Sequence, residues 1–368
     1  MKLTLRAWYH ALPLKKPYRL SFAVLEKFET LYIALEGDGR MGVGEVTPLP
    51  GYGTETIELA IAAVQQAARE FAAGKPIEEL SLGLAHKYPF TASGLACAYE
   101  TWVEGEAAAF DAPLASSIPL AALCPGNTPA TIAAEARRLL DSGVTVLKLK
   151  AGRAPELEES LVRAVAKELP PGTTLPGTLR LDANQAYNPK DALELCRRLE
   201  DLGQIGLLEQ PFNIEMWSEC AQLTSATTFP IMLDESICEK EDIRRAQEVG
   251  AKWIKLKLCK HPGMAATAAM IKEANDRGFR LVFGNGVQTA LGNHLENRVH
   301  LLTKLPTATE ANGFAKVKEH PFASRLNIVG GNVVDQGLSI TVNGLAAGRL
   351  VAEGVISGVR QTSLGATS

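Results

Sequence analysis

The sequence predicts an α/β fold, a modified (β/α)7β barrel of the TIM type carrying an α+β capping domain at its N-terminus. Three observations predict it. From about Ile118 onward, short apolar strands alternate with helical segments, the grammar of parallel strands joined by crossover helices. Seven or eight such units favour a closed barrel over an open doubly wound sheet. An open sheet should also carry a glycine-rich phosphate loop early in the run, and this run has none.

The first hundred residues follow a different grammar. Thr30 to Glu36 reads as a strand, Gly37-Asp38-Gly39 as a hairpin turn, and Met41 to Val46 as the return strand. After the glycine- and proline-rich stretch Thr47 to Thr54, Glu55 to Ala73 is helical, with Ile57, Ile61 and Val64 on one face. A second alanine-rich helix is expected over about Thr91 to Ala109, ended by Asp111-Ala112-Pro113. The barrel strands are then expected at Val144 to Lys150, Leu179 to Asp182, Ile205 to Glu209, Phe229 to Asp234, Trp253 to Leu258 and Arg280 to Phe283. The intervening helices are Leu157 to Leu169, Pro189 to Leu202, about Ile214 to Thr224, Lys240 to Val249, Met264 to Arg277 and Ala290 to Leu302. The expected division is a capping domain over 1–115, a barrel over 116–331, and a tail over 332–368 that packs back onto the cap.

Composition narrows the function classes. A net charge of -3 with no dense basic stretch offers no footprint for nucleic acid. No apolar run approaches the roughly 20 residues that span a bilayer, and Met1 to Leu20 lacks the continuous apolar core of a signal peptide. The cytoplasm is the expected compartment. Cys97, Cys124, Cys196, Cys220, Cys238 and Cys259 have neither pairing nor metal-type spacing and read as buried, reduced thiols.

In a parallel barrel the active site is built from the C-terminal ends of the strands. In order, these ends carry Lys148-Leu149-Lys150, Asp182, Glu209, Asp234 and Lys255-Leu256-Lys257. Taken singly, each has a plain structural reading. An Asp at a strand end more often caps the next helix, and a Lys-x-Lys is usually a solvated edge. The joint order is the signal: lysines, three successive carboxylates, lysines. Three carboxylates brought together repel one another without a cation, and Mg²⁺ suits such hard oxygen ligands. A free lysine, with a pKa of about 10.4, is a poor base until a nearby cation disfavours its ammonium form.

This pattern resembles the enolase superfamily and, within it, the muconate-lactonizing-enzyme subgroup with lysines on the second and sixth strands. The resemblance extends to Gly44-Glu45, Pro48-Leu49-Pro50-Gly51-Tyr52 and Glu55-Thr56 of the first domain. It implies a cap whose loops, about Tyr18 to Val24 and Leu49 to Thr54, close over a small carboxylate substrate. It also implies that Asp182, Glu209 and Asp234 bind Mg²⁺, and that Lys150 and Lys257 are the acid/base pair. One lysine would remove the α-proton to give an enediolate, stabilised by metal and ammonium charge. Lys148 lies beside the carboxylate in this scheme. Lys255 departs from the subgroup, which usually has a neutral residue there, and is read as a metal-shell or substrate contact. Lys260 is placed in the following loop or helix start.

Substrate signals conflict. The seventh strand end, with Asn285 and Gln288, resembles the family's substrate-proximal turn, but Gln288 stands where many members carry Glu. Glu310 and Asn312 occupy the place where dipeptide epimerases hold the substrate ammonium with Asp-x-Asp. The stretch Leu20-Ser21-Phe22-Ala23 lacks the arginine used by Ala-Glu epimerases; Arg19 or Lys27 are the substitutes nearby. His294 sits in a helical neighbourhood and reads as structural, as do Trp253 and Phe283. The expected activity is racemisation or epimerisation of an amino-acid derivative or dipeptide. The alternatives are an o-succinylbenzoate synthase-like lyase or a muconate-type cycloisomerase, and then a catalytically silent ligand-binding barrel. A homo-oligomer is the expected assembly.

Overall fold

The computed structural model describes residues 2–19, 24–49, 53–284 and 286–357. The cap begins with three antiparallel strands, β1 (Lys2–Arg19), β2 (Val24–Gly37) and β3 (Arg40–Val46). The β2–β3 hairpin closes through Asp38 and Gly39, both at positive φ (56° and 69°), the two-residue turn whose twist matches its flanking strands. Helices α1 (Ile57–Ala72), α2 (Ile77–Leu84) and α3 (Pro89–Glu104) cover this sheet. Thr56 caps α1 by accepting from the Leu59 N–H. The helix expected to run to Ala109 stops at Glu104, because Gly105 takes φ 92°; a single wide turn over Ala107–Asp111 follows. Helix α3 lies so close to β3 that a Cβ on Gly44 would fall 1.9 Å from the Gly94 carbonyl oxygen.

The barrel follows. After the short strand β4 (Ile118–Pro119) come β5 (Ala121–Leu123), α4 (Pro129–Asp141), β6 (Val146–Lys150), α5 (Pro155–Ala166), β7 (Leu179–Asp182) and α6 (Pro189–Arg198). Then come β8 (Gly206–Glu209), α7 (Trp217–Ala226), β9 (Ile231–Leu233), α8 (Lys240–Glu248), β10 (Trp253–Leu256), α9 (Gly263–Asp276), β11 (Arg280–Phe283) and α10 (Ala290–Leu302). Strands β5 to β11 form one parallel sheet in sequence order. The segment 307–309 joins its two edges. Thr309 exchanges backbone hydrogen bonds with Pro119 and Ala121 (both 2.8 Å), and the Thr307 hydroxyl donates to the Leu281 carbonyl on β11. Only the short helical turn Gly313–Ala315 follows this eighth strand, with no α-helix packed against the barrel there, so the count is (β/α)7β.

The chain ends with β12 (Ala323–Val329), β13 (Asn332–Ser339), α11 (Val342–Ala346) and β14 (Arg349–Ser357). Strand β13 pairs with β12 and β4, and β14 pairs with β1 of the cap. Among the described residues no helix is long and apolar enough to cross a membrane. The cysteines are free and five are buried; Cys238 departs from expectation and is exposed, in the turn ahead of α8.

The period of two along the strands sorts the side chains. On β6, Leu147 and Leu149 join the core with Leu161, Val162 and Val165 of α5, which turns Lys148 and Lys150 to the barrel interior. On β7, Leu179 and Leu181 likewise face the helices, and Arg180 and Asp182 face inward. Leu207, Met232, Trp253 and Val282, one from each of β8 to β11, pack together as an apolar plug. Trp253 is therefore packing, as expected. Phe283 is buried in the main core.

Candidate active site

The strand ends converge on a cleft of about 800 Å³, counting the solvent-open space at its mouth. Its lining includes Lys148, Lys150, Asp182, Asp234, Lys255, Lys257, Glu310 and Asn312 from the barrel, with Tyr18 and Leu49 from the cap. Eight of the eleven predicted site residues thus line one cavity. Glu209 lies just beneath it, wholly buried. Gln288 is not in the lining: its side-chain oxygen accepts from the Gly286 N–H (2.8 Å), so it holds the loop instead. Asn285, and most of the two expected capping loops, lie outside the described residues.

The polar groups interlock by alternating sign. Lys148 Nζ sits between Asp182 Oδ2 (2.8 Å), Glu209 Oε1 (3.1 Å) and Glu310 Oε2 (3.1 Å). Lys150 Nζ bonds Asp182 Oδ2 (2.7 Å) and Asn184 Oδ1 (2.5 Å). On the facing wall Lys257 Nζ meets Asp234 Oδ2 at 2.8 Å. Between the walls stands Lys255, 1% exposed, with Nζ 2.9 Å from Glu209 Oε1, 2.7 Å from Glu310 Oε2 and 3.5 Å from Asp234 Oδ2. Neither Lys-x-Lys is a solvated edge. Nor does Asp182 cap the next helix, since Asn188 does so by accepting from the Asp191 N–H. Asn184, two residues past the end of β7, and Gln210, directly after β8, sit at φ 42° and 37°, local strain of the kind that collects at functional sites.

These contacts set the protonation preferences. Burial alone would raise Asp182 and Asp234, but the surrounding ammonium groups outweigh it and hold both carboxylates below their usual range. Glu209 goes the other way. Burial and the neighbouring Asp182 charge lift it to about 7, against Lys148 and Lys255. Lys148 and Lys255 are held above the usual lysine range despite burial, because carboxylates surround them. Lys257 is lowered, chiefly by burial and then by Lys255 and Lys260, with Asp234 opposing. A lysine so biased gives up its proton more readily, the requirement for a base.

Could the site hold a divalent cation? Among the described residues, no three His, Cys, Asp or Glu side chains are already gathered as a cage. Ammonium groups stand between the carboxylates. The donor chemistry nevertheless fits: three carboxylates on successive strand ends are hard oxygen ligands. Glu209 Oε2 is buried without a hydrogen-bond partner, a costly state that a cation would relieve.

Sequence reasoning missed four contributors. Arg180, two residues before Asp182 on the same strand face, places Nη1 3.4 Å from Glu310 Oε1; the period of two was the available signal. Lys260, expected in the loop or helix start after β10, does sit there in a short helical turn. Its side chain is buried, however, and donates to the Asp234 backbone carbonyl (2.6 Å), with Oδ1 at 3.3 Å. Asn184 bridges Lys150 and Glu235. Lys316 reaches the cleft from beyond the eighth strand. His294 is structural: its ring bonds Asp335 and the Ala109 carbonyl, and it does not line the cleft.

Comparison with known proteins agrees with this architecture. Residues 131–346 match the family model described as Enolase C-terminal domain-like, and residues 3–102 match MenC, N-terminal domain. The chain is 25% identical over 364 residues to the L-Ala-D/L-Glu epimerase of Bacillus subtilis, covering 95% of this chain and 97% of that one. It is 30% identical over 237 residues to the o-succinylbenzoate synthase of Thermosynechococcus vestitus, covering 63% and 68%. A dipeptide epimerase from Cytophaga hutchinsonii, solved with Mg and D-Ala-L-Val, superposes with a TM-score of 0.80 at 20% identity over 97% of this chain and 99% of that one. Family models that take in the cap and the barrel alike, and the shared architecture, lead to one conclusion: the chain is an enzyme of the enolase superfamily, in its mandelate racemase/muconate lactonizing enzyme group.

Proposed function

We propose that the enzyme removes the α-proton of a small carboxylic acid, with Lys150 and Lys257 as an acid/base pair on opposite faces of the substrate. The observation that carries this reading is the pairing of each lysine with a different carboxylate across one cleft, Lys150 with Asp182 and Lys257 with Asp234. Asp182, Glu209 and Asp234 are the proposed Mg²⁺ ligands. When bound, the ion would supply Lewis-acid polarisation of the substrate carboxylate. Lys148 and Lys255 hold fixed positive charge beside the place where negative charge develops. Burial lowers Lys257, which disposes it to accept a proton at Nζ.

The net reaction proposed is racemisation or epimerisation of an amino-acid derivative or dipeptide, since two facing lysines can take a proton from one side and return it to the other. The likeness to epimerases supports this. A second reading, synthase-type elimination or cycloisomerisation, is favoured by the match of residues 3–102 to MenC, N-terminal domain. Incubating candidate acids with the enzyme and Mg²⁺ in D₂O, and following the α-position by NMR, separates them. Exchange with inversion supports epimerisation; net elimination or ring closure supports the second reading. Lys150→Ala and Lys257→Ala should each abolish exchange from one enantiomer only. If either variant still racemises at the wild-type rate, the two-base assignment is wrong.

A further inference from the structure

The first turn of a helix needs acceptors for its unpaired N–H groups. Thr128 supplies one to α4 and Asn188 one to α6, each from the residue that opens its own helix. At α9 that residue is Pro262 and at α10 it is Thr289, and among the described residues neither side chain makes such a bond. The cap supplies both. Glu100 of α3 accepts from the Met264 and Ala265 N–H groups (2.7 and 2.9 Å) in the first turn of α9. Glu45, the buried last-but-one residue of β3, accepts from the Thr289 and Gly292 N–H groups (2.6 and 2.8 Å) at the start of α10. The hydroxyls of Thr289 (2.7 Å) and Thr47 (2.6 Å) donate to the same carboxylate, and Tyr32 of β2 bonds the Thr289 hydroxyl (2.7 Å).

Both grips land on one wall of the cleft. Helices α9 and α10 follow β10 and β11, so the gripped turns adjoin Lys257 in one case and Gly286 and Val287 in the other, and all three line the cleft. Short links carry the grip inward. Ser93 of α3 donates to the carbonyl of Leu258, the residue after Lys257 (2.9 Å). Gln288, next to Thr289, accepts from the Gly286 N–H, and Gly313 packs so tightly that a Cβ there would fall 1.8 Å from the Gln288 carbonyl oxygen. We infer that Glu45 and Glu100 are positioning residues: carboxylates of the cap that stand in as the N-terminal acceptors of α10 and α9 and so set the Lys257 wall. A carboxylate suits the place because it accepts at both oxygens and donates at neither. What that wall does in the reaction rests on the reading above; how it is held does not.

Amide hydrogen–deuterium exchange of the unliganded protein, read by mass spectrometry, tests the grip without any substrate. Glutamine keeps the shape of glutamate but turns an NH₂ group toward the donors. Glu45→Gln should speed exchange across 286–292 by about 10- to 100-fold, the span of one lost charge-assisted hydrogen bond, and Glu100→Gln should do so across 258–265. Peptides over 146–150, which carry Lys150, should exchange as in wild type. Glu55→Gln is the control: its carboxylate closes α3 inside the cap, accepting from the Phe90 and Thr91 N–H groups (2.8 and 3.0 Å), so the same chemistry is lost without touching α10. Unchanged exchange over 286–292 in Glu45→Gln, faster exchange throughout the chain, or equal loosening of that segment by Glu55→Gln would overturn the inference. A second reading uses L-Ala-L-Glu and L-Ala-D-Glu as probes in D₂O. Glu45→Gln should slow initial α-proton exchange from the epimer that faces Lys257 about tenfold more than from the other, and equal slowing of both would reduce Glu45 to a fold-stabilising role. The amide rates stand even if no acid exchanges its α-proton, which would sink the proton-abstraction reading alone.

Discussion

Lys255 is the residue whose replacement tests the electrostatic reading of this site most directly. Its ammonium is wholly buried and touches Glu209, Glu310 and, more distantly, Asp234. Methionine has nearly the same shape and no charge, so Lys255→Met removes the cation without opening a large cavity. Removing one member of a buried ion pair costs about 3–5 kcal/mol, because the partner charge stays buried. Lys148 still reaches both glutamates and Arg180 still reaches Glu310, which argues for the low end, about 3 kcal/mol.

A chain of 368 residues has an unfolding entropy of roughly 0.8 kcal/mol per kelvin, so the metal-free melting temperature should fall by about 4 °C. Adding Mg²⁺ should narrow that gap. The ammonium competes with any cation for Glu209 and Asp234, so its loss should tighten the metal. A tenfold tighter site adds about 1.4 kcal/mol, or close to 2 °C, to the Mg²⁺-induced rise. Differential scanning calorimetry of both proteins, with chelator and with saturating Mg²⁺, reads all four values. A variant as stable as wild type in chelator, with no greater gain from Mg²⁺, would refute the reasoning.

Other outcomes follow from the same contacts. Glu209→Gln removes the charge of the buried carboxylate whose Oε2 has no partner, and should weaken Mg²⁺ by about tenfold or more, measured by Mn²⁺ competition in electron paramagnetic resonance. Gly44→Ala would drive a Cβ to 1.9 Å from the Gly94 carbonyl, and should lower unfolding stability by about 1–3 kcal/mol in urea, whereas Gly83→Ala, on α2 with open space around it, should cost nothing. His300 is buried and burial depresses it to about 4, so the fold favours its neutral form. Its contribution is complete above the unfolded value of about 6.5 and is lost as pH falls through the window from 6.5 to 4. Between pH 7 and pH 5, wild type should therefore lose about 2 kcal/mol more than His300→Gln. Equal losses in the two proteins would show that this histidine is not the acid-sensitive group.

The order of the strand-end residues was open to sequence reasoning because a parallel barrel turns chain order into ring order. Lys148 and Lys150, then Asp182, Glu209 and Asp234, then Lys255 and Lys257, stand around one cleft since each strand's period of two sends alternate side chains inward. The helices and strands after Val144 follow from their apolar spacing for the same reason. Short or irregular pieces, such as α2 and β12, carry too few periods to be read. The halt of α3 at Gly105 depends on a single left-handed residue.

Only the tertiary structure decided which charges meet. Glu310 looks like a ligand for an amine when read beside Asn312, yet residues 130 and 162 positions earlier, Arg180 and Lys148, together with Lys255, absorb its charge. Lys260 follows a strand and has no periodic neighbour to reveal that its long side chain folds back on Asp234. Lys316 enters the cleft because the cap's first strand fixes its backbone and sets Tyr18 against its ammonium. A sequence encodes facing by local repeat, but loop residues have no repeat, and long flexible cations find their partners only once distant segments are packed together.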